Sequence, residues 1–333
     1  MVDHSALYDK LEDLTDLEVA ILLCLIAQEH GIIDTDLETI DDLGNELSLV
    51  VENTFGLSNV VLDCSPHTSL EEFSNAILTH DRDKSEGRRS RHSQSSADAD
   101  GYLESISFHS NNTSREKQKL RLSQSRQDDR KVVNVIIAKN FNLTPEEVQI
   151  QALENDHIFL SHFHDRADGF ANLEDDSGWI SDDTGSLSSV VRPPARISPT
   201  PNSPLVLEED INVLQQLSNS ITVSTDAKCY SHNLIVFSRL HRGVAGGISA
   251  TATRHFQLLA RCLAPLQRLD YLVPSLIAIA AKKAYRHRIV VASPKDDRSL
   301  LYGSNLEAAK LALADLTPER IIEEVLVEVE APL

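Results

Sequence analysis

The chain has 333 residues and a formal net charge of −20 at pH 7. This length suits two or three compact units, because domains commonly run to about 100–200 residues. The acidic balance disfavours a general nucleic-acid binder or a binder of anionic membranes, since both partners are polyanions. The four cysteines are scattered and form no CxxC pair, which in an intracellular protein indicates free thiols.

The sequence predicts an intracellular protein without a membrane segment. No apolar run approaches the roughly 18 residues that a membrane-spanning helix requires. The first 16 residues are acidic, whereas a signal peptide begins with positive charge. We therefore expect a cytoplasmic location, and a nuclear one stays open.

Residues 1–80 combine helical and strand patterns. Leucines and isoleucines at helical spacing behind an acidic turn predict a helix over residues 11–28. A second helix is expected over residues 40–55, ended by Gly56 in the usual C-terminal position. The apolar run at residues 59–63, flanked by turn residues, predicts a buried strand.

The middle of the chain alternates between polar and ordered patterns. Residues 81–130 are rich in Ser, Arg, Asp, Gln and Asn, so we expect a disordered insert there. In residues 131–165, the β-prone run at 132–138 predicts an interior strand of a parallel sheet. A helix should follow Pro145, and residues 158–160 form another short strand pattern. Residues 166–205, acidic and then rich in Pro and Ser, predict an exposed linker.

Residues 206–333 predict an all-helical bundle. Four apolar stripes at helical spacing are joined by short connections, and a further amphipathic pattern begins at Thr317-Pro318. Ser249 is a candidate N-cap for the third helix, and Pro274 opens the fourth. The fold expected for the whole chain is α/β, with a partial parallel sheet and its helices followed by this bundle.

Four segments of the bundle carry a resemblance to a known family. They are Tyr230-Ser-His-Asn-Leu-Ile-Val-Phe237, residues 242–249 with Gly247-Ile-Ser249, Leu269-Asp-Tyr-Leu-Val-Pro274 and Tyr285-Arg-His-Arg-Ile289. Together they resemble the helical lid of AAA+ ATPases of the magnesium-chelatase and MoxR-like branch. The whole chain looks most like the members found in filamentous fungi and named after magnesium chelatase. The resemblance implies a partial AAA+-like core in residues 1–165 and a lid in residues 206–333.

The motifs that hydrolyse ATP in this family have no match in the chain. A phosphate-binding loop needs glycines and a Lys, and no Gly-Lys dipeptide occurs in the sequence. Asn134-Val-Ile-Ile-Ala138 looks like the Walker B strand, yet Lys139 and Asn140 stand where Asp and Glu would bind Mg²⁺ and orient water. The sensor position of the lid is Thr251; Arg254, one turn on, is either a substitute or a solvated helix residue.

Three other groups of residues have alternative interpretations. His162 and His164 alternate on a strand, so they either share a metal ion or lie unpaired at a polar strand end. Cys64 and His67 resemble a nucleophile with its base, or Cys64 is simply buried.

Gly246-Gly247 either holds a phosphate at a helix N-terminus or forms a tight turn. The basic stretch from Lys282 to Arg288 meets a nucleotide or an acidic neighbour, or it is a solvated helix end favoured by the helix dipole.

These observations lead to one expectation and two alternatives. The expectation is a degenerate AAA+ protein that acts as a scaffold or regulatory subunit, assembles with protein partners or copies of itself, and uses no cofactor. The first alternative is an enzyme subunit of an ATP-dependent magnesium chelatase, which inserts Mg²⁺ into a porphyrin. It would use ATP and Mg²⁺ in a mixed ring with an active AAA+ partner. The second is an incomplete gene product without a stable core. Neither nucleic acid nor membrane is an expected partner.

Overall fold

A computed structural model describes residues 5–80, 130–153, 158–176 and 204–332. The predicted insert at 81–130 lies outside the described residues except for Arg130, and so does most of the predicted linker at 166–205. Within the described ranges, no helix has the length and apolar character needed to cross a bilayer.

The first part of the chain forms short helices. They are α1 (Ser5–Glu12), α2 (Asp16–Ala27), α3 (Ile40–Leu49), α4 (Leu70–Ile77), α5 (Glu146–Leu153) and α6 (Ala171–Asp176). The helix predicted over residues 11–28 is confirmed from Asp16 to Ala27 but not before, because a capping box with Thr15 as the N-cap separates α2 from α1. The Thr15 backbone amide donates to the Glu18 carboxylate, and the Glu18 amide donates to the Thr15 hydroxyl. The predicted end of the second helix at Gly56 is confirmed. A π-helix (Val50–Thr54) continues α3 toward Gly56, which has a left-handed conformation with φ 64°.

The strands form separate two-stranded ladders. β1 (His30–Asp34) pairs in parallel with β6 (Ile158–Phe163), and β2 (Asn59–Asp63) pairs in parallel with β5 (Val135–Lys139). β3 (Leu78–His80) pairs antiparallel with β4 (Arg130–Val132). Parallel pairing agrees with the expected α/β class.

Three predicted features of these strands are wrong. The run at 132–138 is not one strand, because Asn134 interrupts it and exchanges hydrogen bonds with Ser58. β5 is not an interior strand either, since β2 is its only ladder partner among the described residues. The strand predicted as buried at Asn59–Asp63 is half-buried, and its last residue is exposed.

The last part of the chain contains the five predicted helices and a sixth, at Leu306–Leu313, that was not predicted. They are α7 (Glu208–Ser220), α8 (Thr225–Leu240), α9 (Ala250–Leu266), α10 (Pro274–Tyr285), α11 (Leu306–Leu313) and α12 (Pro318–Glu328). Ser249 caps α9 and Thr317 caps α12, each through its hydroxyl. The bundle is not all-helical as predicted, because β7 (Val244–Gly246) pairs antiparallel with β8 (Val290–Val291).

One hydrophobic core joins the two parts of the chain. Helix α2 packs against β6, α7 and α9, so residues from both parts bury one another. The α2 helix is apolar on nearly all sides, as expected for a helix surrounded by protein. The centre of this core includes Leu22, Phe159 and Phe256, each fully or almost fully removed from solvent.

Candidate functional site

The loop that follows β1 lies where an α/β protein binds its ligand. In parallel α/β folds, ligands lie beyond the carboxyl ends of the strands, next to the helix that follows. Residues 35–39 connect the carboxyl end of β1 to α3, and β6 ends alongside them. β1 was not predicted from the sequence, so the loop at residues 35–39 was not identified as a candidate site.

The chemistry of this loop is unlike that of a phosphate-binding loop. Its sequence, Thr35-Asp-Leu-Glu-Thr39, contains neither glycine nor lysine and adds two acidic side chains. The Thr35 and Thr39 hydroxyls are 2.8 Å apart. The Thr39 hydroxyl also donates to the Asp36 carbonyl at 3.0 Å, and the Thr35 hydroxyl lies 3.1 Å from the His164 carbonyl. These hydroxyl groups are thus engaged within the protein, and the nearby carboxylates oppose an anionic ligand.

The end of β5 meets the first turn of α3 through an ion pair. Lys139 is the last residue of β5, and its Nζ lies 2.6 Å from Asp41 Oδ1. Asp63 is the ladder partner of Lys139. The hydrogen bond to Asp41 and the nearby carboxylates raise the pKa of Lys139, so the side chain is firmly cationic. Asn140 follows in a left-handed conformation with φ 54° and turns the chain away.

The charges of this ion pair are the reverse of those in the nucleotide site that the family resemblance implies. In P-loop enzymes, the loop and the start of the following helix supply Lys and Ser/Thr, and the Walker B strand supplies an Asp that holds Mg²⁺. Here the helix start supplies Asp41 and Asp42, and the strand supplies Lys139. A cation at the strand end repels Mg²⁺, and an acidic helix start repels phosphate.

The predicted sensor position, Thr251, and its alternative, Arg254, both lie away from this loop. Thr251 and Arg254 are on α9, where Thr251 is half-buried and Arg254 is exposed. His255, the next residue, contacts the carbonyl of Ile158 at the amino end of β6. The loop after β1 lies at the carboxyl end of the same strand pair. At about 3.3 Å per residue, five strand steps put roughly 16 Å between the two ends.

His162 and His164 are buried, but they do not form a metal site. His162 Nδ1 lies 3.4 Å from the Lys283 ammonium, and His164 Nε2 lies 3.1 Å from the Gly169 carbonyl. Burial, and then the Lys283 charge, lower the pKa of His162 to about 4. Among the described residues, no three His, Cys, Asp or Glu side chains are grouped to hold a metal ion. An ammonium next to one imidazole also opposes a second cation there.

The basic residues at the end of α10 contact groups within the protein. Lys282 bonds Glu323 at 3.2 Å, and Arg286 bonds Glu319 at 2.7 Å, both on α12. Arg288 bonds the Ile158 carbonyl and lies 2.7 Å from His255 Nδ1. Of the predicted alternatives, the acidic neighbour is the one that these contacts favour.

The structure favours a tight turn at Gly246-Gly247 and a buried thiol at Cys64 over a phosphate site and a nucleophile. Gly247 has φ 97°, and a Cβ there would lie 1.7 Å from the Arg288 carbonyl oxygen, so the glycine is required by a tight turn. Cys64 is buried, and burial together with Asp63 raises the pKa of its thiol. A thiol with a raised pKa is a poor nucleophile, and His67 is exposed on the turn beyond it.

Comparisons with known proteins bear on the fold. No protein-family model matches the sequence, and no curated protein matches it. Among solved structures, the chain is similar to a Cytophaga hutchinsonii protein described as a "putative ATPase". The TM-score is 0.53 at 13% identity, and the match covers 98% of this chain and 94% of the other. At this identity the similarity concerns the fold alone, which agrees with the α/β class.

Proposed function

We propose that the chain is a catalytically degenerate AAA+-like protein that acts as a scaffold or regulatory assembly subunit and does not hydrolyse ATP. The observation that carries the proposal is the Lys139–Asp41 ion pair beside an acidic loop without glycine. A fold shared with a "putative ATPase" supports the AAA+-like part of the proposal. The reversed charges support the loss of catalysis.

The loss of catalytic rate expected from the missing residues is large. Removing one transition-state arginine costs about 10³–10⁵ in rate in phosphoryl transfer. This chain has Thr at the predicted sensor position, Lys and Asn at the predicted Walker B acids, and no Gly-Lys dipeptide. Since these groups act on one transition state, their combined loss leaves no useful turnover.

The ion pair lies at the junction where a nucleotide site would need a bound metal ion. Lys139 Nζ joins the end of β5 to the first turn of α3, the two elements that a bound Mg²⁺–nucleotide would bridge. The Lys139 side chain packs against Gly44 of the same helix, where an added Cβ would lie 3.0 Å from its Cδ. The protein therefore carries its own cation at this junction, and its assembly should not depend on nucleotide.

The test measures phosphate release and association state in the same purified samples, with and without ATP and Mg²⁺. We expect no release above the blank and the same mass by light scattering in both conditions. Release of more than one phosphate per chain, lost in a Thr39→Ala variant, would contradict the proposal. Release above that of the partner alone, when an AAA+ partner with a Gly-Lys-Ser/Thr loop is added, would instead support a chelatase-like subunit in a mixed ring.

A further inference from the structure

One buried histidine joins the two parts of the chain. His162 lies on β6, and its Nδ1 is 3.4 Å from Nζ of Lys283 on α10. The His162 side chain is buried, with the residue 8% exposed. Its second nitrogen, Nε2, is also buried and makes no hydrogen bond among the described residues. The contact lies within the packing of α10 against β6.

The contact fixes the protonation state of the ring. An ammonium group can only donate, so Nδ1 of His162 must accept and the proton of the neutral ring must be on Nε2. This tautomer is assigned from the Lys283 contact. A second proton could bind only at Nδ1, and it would break the contact with Lys283.

The groups around His162 do not neutralise the positive charge that a second proton would bring. Lys283 and Arg286 face the pair from α10, and His164 follows the last residue of β6. Asp34 on β1 is 3.9 Å from Arg286 and is paired with that arginine, not with His162. Asp16 at the start of α2 and Asp168 beyond β6 contribute at longer range, and both are exposed. Among the described residues, no carboxylate forms an ion pair with His162. Protonation would therefore place an imidazolium beside an ammonium in a buried contact.

We propose that the His162–Lys283 contact is an acid-sensitive junction, at which protonation of His162 separates α10 from β6. The packing of the bundle against the α/β part would then weaken at acidic pH, whether or not a nucleotide is present. While the His162–Lys283 contact is formed (the closed junction), burial and Lys283 lower the pKa of His162 from 6.5 to about 4. In the open junction this contact is broken. If the open junction restores the ordinary pKa, linkage predicts that the opening constant is about 30-fold higher at pH 5 than at pH 7.5.

The test is amide hydrogen exchange on the full chain at pH 7.5 and pH 5.0, corrected for the intrinsic exchange rate. Peptides covering α10 (Pro274–Tyr285) and β6 (Ile158–Phe163) report the junction. In the wild type, their opening constant should rise by about 30-fold at pH 5. In His162→Gln, which keeps an acceptor for Lys283 but stays neutral, the rise should vanish. His232→Gln, at an exposed histidine of α8, is the matched control and should respond like the wild type.

A second variant keeps the test decisive if His162→Gln does not fold, as judged by circular dichroism. Lys283→Met removes the neighbouring cation, so protonating His162 becomes less costly and the acid-induced opening should shrink by severalfold. An equal pH response in the wild type and in either folded variant would overturn the proposal. An acid response spread evenly over α8 and α12 would also overturn it, because that result would mean global unfolding.

Discussion

The two adjacent glycines before α9 should differ sharply when each is replaced by alanine. Gly247 has φ 97°, and an added Cβ would lie 1.7 Å from the Arg288 oxygen and 2.7 Å from its carbonyl carbon. A Cβ on Gly246 would meet nothing within 4 Å. The same substitution at neighbouring positions therefore tests whether this Gly-Gly pair forms a turn or a phosphate cradle.

The expected cost follows from two contributions. An L-residue forced into left-handed backbone costs about 1–2 kcal/mol. Overpacking that shifts the backbone costs about 1–3 kcal/mol more, and here the obstacle is the main chain of Arg288, next to β8. Gly247→Ala should thus lower the free energy of unfolding by about 2–5 kcal/mol. Gly246→Ala should change it by less than about 0.5 kcal/mol, as for an unobstructed surface substitution.

The assay is urea denaturation followed by circular dichroism, with the midpoint and slope fitted for both variants. Equal losses for the two variants would refute the close approach of Gly247 to Arg288. A larger loss for Gly246→Ala would refute it as well, and would favour a backbone that must stay open at Gly246.

Two further predictions concern contacts around α3. Glu46, which is buried, accepts from the Asn172 amide at 3.1 Å and from the Leu173 amide at 2.9 Å, so Glu46→Ala should lower stability by about 1–2 kcal/mol and speed amide exchange in α6. Glu52→Ala, at an exposed position beyond α3, should leave both unchanged, and equal effects of the two changes would contradict the capping role of Glu46. Lys139→Met should cost less than about 1 kcal/mol in urea denaturation, since its partner Asp41 is exposed. A larger loss would mean that the ion pair is shielded from solvent.

The helices of the last part were predictable because their signals are local. Ser249 and Thr317 are hydroxyl caps, Pro274 occupies the first turn of α10, and the apolar stripes repeat at helical spacing. The break between α1 and α2 has a local signal too, the Thr15–Glu18 capping box. The predicted helix nevertheless began before Thr15, because the apolar periodicity continues across the capping box.

The missing strand and the candidate site depend on distant residues. β1 is short, contains Gly31 and has charged or polar ends, so its pattern is weak until β6 pairs with it. Lys139 was identified as a departure from the Walker B pattern, but its partner Asp41 could be found only from the packing of α3 against β5. Gly247 likewise needs the backbone of Arg288 to explain it.

Equilibrium binding of a fluorescent ATP analogue, with and without Mg²⁺, tests the central claim most directly. The acidic loop after β1 and the cationic end of β5 predict no saturable binding at millimolar analogue, in the presence or absence of the metal. A Lys139→Ala variant, measured beside the wild type, reports whether any binding involves this junction. Mg²⁺-dependent binding at micromolar concentration that changes in this variant would contradict the account, because it would require a phosphate and metal site where the structure has an internal ion pair.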